Sequence, residues 1–257
     1  MKEIFFSMDV EDWFHCENLK PYLPPSIPSH SSMYILDMII DFLSKQEAKG
    51  TFFFLGETAK KNPLWVKKIS EKGHEIASHG WSHELFNNLG KEQTLIELKK
   101  SKDLLEDQTG NEILGFRSAC FSQNEWIDEI LIELGFKYTS MGIEASFHDR
   151  YVSNSYLNNS LPDLEMPIVR IAGLKIPATG GGWFRLFPIL LQKVLMNLAD
   201  QEEIIFYCHP WDFDPLKPTI KKMPFLSKLR HSINAKSSMD KLTKFNFSSK
   251  TLSQLAL

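Results

Sequence analysis

The sequence predicts an α/β protein built on a parallel sheet or barrel. Predicted helices and strands alternate four times between residues 33 and 139, and this order is typical of parallel sheets whose strands are joined by crossover helices. Segment 50–56 is a continuous apolar run bounded by glycines, which indicates a strand buried on both faces. The chain has 257 residues, of which 43% are hydrophobic, so it is long enough to form one sizeable core.

The first predicted elements run in order from residue 4 to residue 139. The helices show apolar residues at helical spacing, as at Ile35, Leu36 and Ile39. Pro63 is expected in a first helical turn and Gly110 directly after a last one. We expect strands at 4–8, 50–56, 75–78, 113–116 and 136–139, and helices at 33–46, 63–70, 91–108 and 125–134.

The alternation weakens between residues 142 and 182. There, His148, Asn154 and Asn158-Asn159 suggest a long connection. The elements expected after it are paired strands at 167–171 and 174–176, a glycine loop at 180–182, a helix at 186–198, a strand at 203–207 and a basic, amphipathic tail from 217. We predict a single domain, 1–257, with 216–257 as a helical extension packed on the barrel.

Composition and charge exclude several classes of protein. The net charge of −3 creates no field that would recruit nucleic acid or an anionic membrane. No apolar run approaches the length of a membrane span, so we do not expect an integral membrane protein, and the first residues lack the features of a signal peptide. The three cysteines are odd in number and far apart, which favours reduced thiols and a cytoplasmic location.

Two histidines lie four positions apart directly after a predicted strand. At this spacing the imidazoles of His79 and His83 are able to converge on one divalent metal ion. Three carboxylates, Asp9, Glu11 and Asp12, follow the first strand. Strand alternation places Asp9 and Glu11 on one face, and Asp12 lies where the chain turns. Asp12 as the cap of a short turn is an equally good interpretation.

Polar side chains therefore follow four predicted strands, because Arg117 and His209 also come directly after strands. In a parallel barrel these strand ends open on one face. Two histidines and one carboxylate leave an open coordination position on zinc or a similar ion, which is the arrangement of a catalytic site. With a second carboxylate as base and His209 as acid, the set predicts metal-assisted hydrolysis of an amide or ester.

Five segments together resemble the polysaccharide deacetylase family (NodB homology, carbohydrate esterase family 4). They are SMDVEDWFH at 7–15, TFFFLG at 51–56, GHEIASHGWSH at 73–83, GFR at 115–117 and CHPWDFDP at 208–215. The resemblance is closest to a cytoplasmic-type branch with a DVEDW start. It implies a distorted (β/α)7 barrel that removes acetyl groups from an N-acetylated glycan or its precursor.

The resemblance also implies roles for individual residues. Asp9 would be the general base, oriented by Arg117, and His209 the general acid. His79 and His83 would be metal ligands, with zinc as the first choice of metal and cobalt or nickel as alternatives. The third ligand is open between Glu11, which strand alternation favours, and Asp12, which side-chain type favours; we prefer Asp12. The residues expected to bind substrate are Trp13, Trp183, Trp211, Gly181 and Gly182.

Other interpretations remain. The segment Arg117-Ser118-Ala119 lacks the proline that the family has after this arginine, so a catalytically degenerate, sugar-binding or scaffold barrel is one alternative. A metal-dependent amidase or deformylase acting on a small or lipid-linked substrate is another. A cysteine hydrolase using Cys208 or Cys120 is disfavoured, because Cys208 and His209 are adjacent and adjacent strand residues point to opposite faces.

Overall fold

The computed structural model describes residues 2–27, 29–143, 145, 160–220 and 222–257. Six strands form one parallel sheet in the order β5-β4-β3-β2-β1-β8, and β6 and β7 form a separate antiparallel hairpin. The strands are β1 (Ile4–Val10), β2 (Gly50–Phe54), β3 (Glu75–Ser78), β4 (Gly115–Phe116), β5 (Tyr138–Thr139), β6 (Ile168–Ile171), β7 (Leu174–Pro177) and β8 (Ile204–Cys208). The predicted α/β, barrel-type fold is confirmed; of the seven strands that the resemblance implies, the described residues contain six in this curled sheet.

Helices connect and cover these strands. They are α1 (Ile35–Lys45), α2 (Gly56–Lys61), α3 (Pro63–Glu71), α4 (Lys91–Thr109), α5 (Ile127–Glu133), α6 (Gly181–Leu186), α7 (Ile189–Leu198), α8 (Phe225–Ser232), α9 (Ser238–Leu242) and α10 (Leu252–Ala256). The four helices predicted before residue 139 are confirmed within a few residues. The expected long connection through His148, Asn154, Asn158 and Asn159 lies outside the described residues.

The local sequence explains the strongest of these elements. All five residues of β2 are buried, as a strand covered on both faces requires. The apolar stripe of α1 is buried at Ile35, Leu36, Ile39, Ile40 and Leu43. Helix α4 ends at Gly110, whose φ of +67° is a left-handed conformation that glycine adopts without strain.

The parallel pairing brings the carboxyl ends of the strands to one edge. Asp9 of β1 is in register with Phe53 of β2, and Met8 with Cys208 of β8. Strands β3 and β4 pair through Ser78 and Phe116. The residues that directly follow β1, β3, β4 and β8 are therefore neighbours in space, although more than 190 positions separate the first from the last.

The carboxyl-terminal tail packs on the sheet. Phe247 lies against Phe6 and Phe206, with ring centroids 5.3 and 5.5 Å apart, and the Ser248 amide donates to the carbonyl of Ile4 at 2.7 Å. These contacts agree with a tail that packs on the barrel, while the single-domain organisation stays a prediction. Within the part of the chain described, every helix is too short or too polar to cross a bilayer.

Candidate active site

His79 directly follows β3 and is almost completely buried, with 1% of its surface exposed. Its Nδ1 lies 2.8 Å from the carbonyl oxygen of Arg117. Because a carbonyl only accepts hydrogen bonds, Nδ1 carries the proton and Nε2 carries a lone pair. Among the described residues this buried Nε2 has no hydrogen-bond partner, and burial lowers the pKa of His79. A neutral imidazole with an unpaired nitrogen is the form that binds a metal.

His83 pairs with Glu11 in the same buried space. The Nε2 of His83 lies 2.6 Å from Oε2 of Glu11, and both side chains are 3% exposed. Burial opposes both charges, but the mutual attraction outweighs it: the pKa of Glu11 falls below its usual range and that of His83 rises to about 9. The φ of His83 is +60°, an uncommon conformation for a side-chain-bearing residue that is often found at functional sites.

Glu11, His79 and His83 form one group. Each offers one ligand atom, and these atoms all lie within 4.8 Å of one another. Two imidazoles and one carboxylate are the ligand types of catalytic zinc sites. The buried Nε2 of His79, which has no hydrogen-bond partner among the described residues and faces the Glu11–His83 pair, fits a divalent ion better than a closed polar network.

Asp12 does not belong to this group, and our preference for it as the third ligand is corrected. Its Oδ1 accepts hydrogen bonds from the amides of Trp13 and Ser32, each at 3.0 Å, and it caps the short 3-10 helix Trp13–His15. The alternative interpretation as a cap is the one observed. Glu11 directly follows β1, and its carboxylate lies near the same His209 nitrogen as that of Asp9, as strand alternation predicted. The carboxylate of Asp12 contacts the loop residue Ser32 instead.

Asp9 and Arg117 form a buried ion pair beside the group. Nη1 of Arg117 donates to Oδ1 of Asp9 at 2.7 Å, and their side chains are 0% and 5% exposed. Nη2 of the same guanidinium donates to the hydroxyls of Ser7 and Ser140, both at 3.0 Å. The two serine hydroxyls hold the guanidinium in one position, and the guanidinium in turn orients the Asp9 carboxylate.

His209 is the residue directly after β8 and lies near both Asp9 and Glu11. Its Nε2 is 4.0 Å from Oδ2 of Asp9 and 3.6 Å from Oε1 of Glu11, and its Nδ1 is 3.0 Å from Oδ2 of Asp212. Burial lowers the pKa of His209, but the hydrogen bond and negative charge of Asp212 outweigh burial, so that the pKa lies above its usual value. His209 is 17% exposed, so one edge of the site is open to solvent.

The three tryptophans expected to bind substrate have different environments. Trp13 is 0% exposed and donates from Nε1 to the carbonyl of His30, so its predicted contact with substrate is wrong. Trp211 stacks on the imidazole of His209, with centroids 4.4 Å apart and planes inclined by 13°; its contact with substrate stays a prediction. Trp183 is half-buried against Phe187, with ring centroids 5.2 Å apart; its role as an aromatic wall stays a prediction.

The glycines expected to form a ligand-binding loop instead begin helix α6. Gly181 is buried, and a Cβ at this position would collide with the carboxylate of Asp212. Gly182 is exposed, with open space where a Cβ would stand. The loop interpretation is thus corrected: Gly181 makes room for a protein carboxylate.

Sequence reasoning gave no role to Asp212, Ser7 or Ser140. Asp212 stands three residues after His209, a spacing at which a short turn brings the two side chains together, so that the segment 208–212 contained a usable signal. Ser7 and Ser140 are too common a residue type to be noticed in a sequence. Cys208 is buried, and burial raises the pKa of its thiol, which disfavours it as a nucleophile.

Comparisons with known proteins agree with this geometry. Residues 34–139 match the family described as polysaccharide deacetylase, and residues 141–256 match a domain of unknown function, DUF3473. A peptidoglycan deacetylase from Helicobacter pylori is 26% identical over 152 residues, which cover 57% of this chain and 52% of that protein. Matches to the curated relatives cover between 16% and 52% of their lengths, so this chain spans about half or less of each.

Solved structures share the fold. The peptidoglycan deacetylase PdaC from Bacillus subtilis has a TM-score of 0.53 and 17% identity, over 99% of this chain and 89% of that one. BA3943 from Bacillus anthracis, described as a CE4 family pseudoenzyme, has a TM-score of 0.58 and 14% identity, over 100% of this chain and 66% of that one.

The fold and the site thus define a barrel-type protein with a buried His-His-carboxylate group beside an Asp-Arg pair. The matching family model covers residues 34–139, and this part of the chain is a polysaccharide deacetylase domain.

Proposed function

We propose that this protein is a metal-dependent hydrolase that removes N-acetyl groups from a sugar unit of a polysaccharide or glycan precursor. The observation that carries the proposal is the convergence of a His-His-Glu group with a buried aspartate and a partly exposed histidine. Oδ2 of Asp9 and Oε1 of Glu11 lie 4.0 and 3.6 Å from Nε2 of His209. The residues proposed as base, acid and metal ligands therefore face one small volume.

Glu11, His79 and His83 would hold the divalent metal, for which zinc is the first choice and cobalt or nickel are alternatives. When bound, such an ion polarises an amide carbonyl and lowers the pKa of a bound water. The backbone carbonyl of Arg117 contributes by fixing the Nδ1–H tautomer of His79, since a fixed tautomer presents Nε2 for coordination.

The protein's own residues would move the protons. Asp9 accepts the proton of the attacking water. Nη1 of Arg117, 2.7 Å from Oδ1 of Asp9, holds this carboxylate in place. His209 in its protonated form carries hydrogens on both nitrogens; Nε2 gives its proton to the departing amine, and Nδ1–H stays bonded to Asp212. An amine is a poor leaving group without this proton, so the acid matters more for an amide than for an activated ester.

The printed names of the relatives support a substrate class. The Helicobacter pylori and Bacillus subtilis proteins are described as peptidoglycan deacetylases, so N-acetylated peptidoglycan sugars or their precursors are the first candidates. A cytoplasmic location, proposed from the three widely spaced cysteines, favours a precursor. Finding the native protein outside the cytoplasmic fraction would contradict this location.

Metal content of untagged protein tests the first part of the proposal. We expect close to one zinc, cobalt or nickel ion per chain in wild type and none in the His79→Ala/His83→Ala variant. His30→Ala is the matched control, since His30 pairs with Asp214 outside the ligand group, and it should keep the metal. Wild type without metal after reconstitution would favour the degenerate, sugar-binding barrel.

Acetate release tests the second part. Metal-loaded protein should release acetate from N-acetylglucosamine oligomers, peptidoglycan fragments or a lipid- or nucleotide-linked N-acetyl sugar. The variants Asp9→Asn and His209→Ala should each reduce the rate by a factor of about 10² to 10⁴. Activity confined to small amides or formamides would support the alternative amidase or deformylase function.

A further inference from the structure

A buried chain of polar contacts runs behind His209. Oδ2 of Asp212 accepts from the His209 amide at 2.9 Å and lies 3.0 Å from its Nδ1. Oδ1 of the same carboxylate accepts from Nε of Arg185 at 2.8 Å. The side chains of Arg185 and Asp212 are 2% and 0% exposed. Each carboxylate oxygen of Asp212 is therefore committed to a different partner, which sets the orientation of the group.

Arg185 is itself anchored by the carboxyl-terminal region. Its Nη1 donates to the carbonyls of His231 and Ile233 at 3.0 and 3.1 Å, and its own carbonyl accepts from Nδ2 of Asn234 at 2.8 Å. The planar guanidinium thus bridges Asp212 to a separate backbone segment. A lysine has no such fork and is unable to make these bonds together.

One turn of helix α6 provides both the space and the donor for Asp212. Gly181 lies where any Cβ would collide with the Asp212 carboxylate, and Arg185 is four residues later, on the same face of the helix. Gly181 and Arg185 act on Asp212 and do not bind the metal-ligand group. Because Asp212 in turn contacts Nδ1 of His209, they set the position of the His209 ring.

We propose that Arg185 is a positioning residue for the general acid: it holds Asp212 so that His209 keeps its Nδ1–H toward Asp212 and presents Nε2 to the reacting group. This inference rests on the proposed hydrolase function. It also assigns a task to the region matched by a domain of unknown function, which supplies His209, Asp212 and Arg185 and completes a site begun by β1 to β4.

The physical reason is the cost of an unpaired buried charge. Without Arg185, Oδ1 of Asp212 loses its cationic partner in a fully buried position, and such a charge is strongly unfavourable. The carboxylate then turns toward other donors, and the tautomer and orientation of His209 are no longer fixed. Groups that orient a catalytic or metal-bound histidine typically change activity 10- to 100-fold.

The test compares two leaving groups. Wild type, Arg185→Met and Asp212→Asn are assayed with an N-acetylglucosamine oligomer and with 4-nitrophenyl acetate, whose nitrophenolate leaves without a proton. We expect Arg185→Met to lower kcat about 10- to 100-fold on the amide and less than about 3-fold on the ester, with KM little changed. Arg170→Met is the matched control, because Arg170 forms an exposed pair with Asp200, and both rates should stay at the wild-type level.

A second readout needs no activity. In metal-free protein at alkaline pH, long-range ¹H–¹⁵N NMR of His209 should show one Nδ1–H tautomer in wild type and a mixture in Arg185→Met. Arg185→Lys, which keeps the charge, replaces Arg185→Met if the latter does not fold. Equal losses on both substrates, unchanged amide turnover or an unchanged tautomer would overturn the proposal. Wild type inert on both substrates would instead refute the proposed function, and the NMR spectrum would still decide the role of Arg185.

Discussion

Replacing Arg117 by methionine removes the most heavily bonded cation of the described site. The side chain is 0% exposed and donates four hydrogen bonds, to Asp9, to the hydroxyls of Ser7 and Ser140 and to the Ser140 carbonyl. Methionine fills a similar volume but leaves the Asp9 carboxylate buried without its cation. Breaking a buried pair in this way costs about 3–5 kcal/mol of unfolding free energy.

Urea and thermal unfolding in EDTA-containing buffer measure this cost without a contribution from metal binding. For a chain of this size we expect Tm to fall by about 6–20 °C, at roughly 2–4 °C per kcal/mol. The double variant Asp9→Asn/Arg117→Met should recover about 1–3 kcal/mol relative to Arg117→Met, since it no longer buries an unpaired charge. Arg170→Met, at an exposed ion pair, should cost less than about 1 kcal/mol.

Two outcomes would refute this reasoning. The first is an Arg117→Met variant as stable as the Arg170→Met control. The second is a double variant no more stable than Arg117→Met, because the cost would then come from lost packing or from the serine hydrogen bonds, and Asp9 would not depend on Arg117.

Three further predictions concern the ligand set, helix α6 and pH. Glu11→Gln should weaken zinc binding by a factor of about 10 or more, whereas Asp12→Asn should leave zinc affinity unchanged. Competition with a chelator measures both affinities. A loss of zinc affinity in Asp12→Asn but not in Glu11→Gln would restore Asp12 as the ligand. Gly181→Ala should lose about 1–3 kcal/mol of stability to steric overlap, while Gly182→Ala, in open space, should gain or lose less than about 1 kcal/mol; equal effects would contradict the packing described. Burial and nearby lysine charges lower the pKa of His74 to about 4. Between pH 6.5 and 4 the unfolded chain therefore binds more protons than the folded one, and the free energy of unfolding should fall as the pH drops. His74→Gln should reduce this fall, and a variant with the same pH profile as wild type would show that His74 does not contribute.

Local sequence patterns were sufficient where a single element sets the outcome. Three such patterns are confirmed: the apolar stripe of α1, the buried run of β2 and the glycine after α4. Each depends only on residues within or next to one element. The position of His79 after a strand followed from the same patterns. The loop interpretation of residues 180–182 was wrong, because a run of glycines in a sequence is compatible with either a loop or the start of a helix. The structure explains the glycine at position 181, where a Cβ would collide with the carboxylate of Asp212.

Long-range packing decided the rest. In the sequence, strand alternation favoured Glu11 as the third ligand and side-chain type favoured Asp12. The distinction came from Ser32, 20 residues away, whose amide donates a hydrogen bond to the Asp12 carboxylate. Trp13 was expected to bind substrate, but it is buried against residues distant in the chain, among them Ile220 and Met223. No local pattern encodes such contacts.

By itself, the sequence determined the alternation of helices and strands, the parallel sheet and the presence of polar side chains at the ends of four strands. These features depend on hydrophobic periodicity and on turn residues, which act over a few positions. Only the tertiary structure decided that Glu11 joins the histidines, that Asp12 is a cap and that Asp212 contacts both Arg185 and His209. The physical reason is that a side chain's partners are selected by where separate elements meet, and that meeting is a property of the packed chain as a whole.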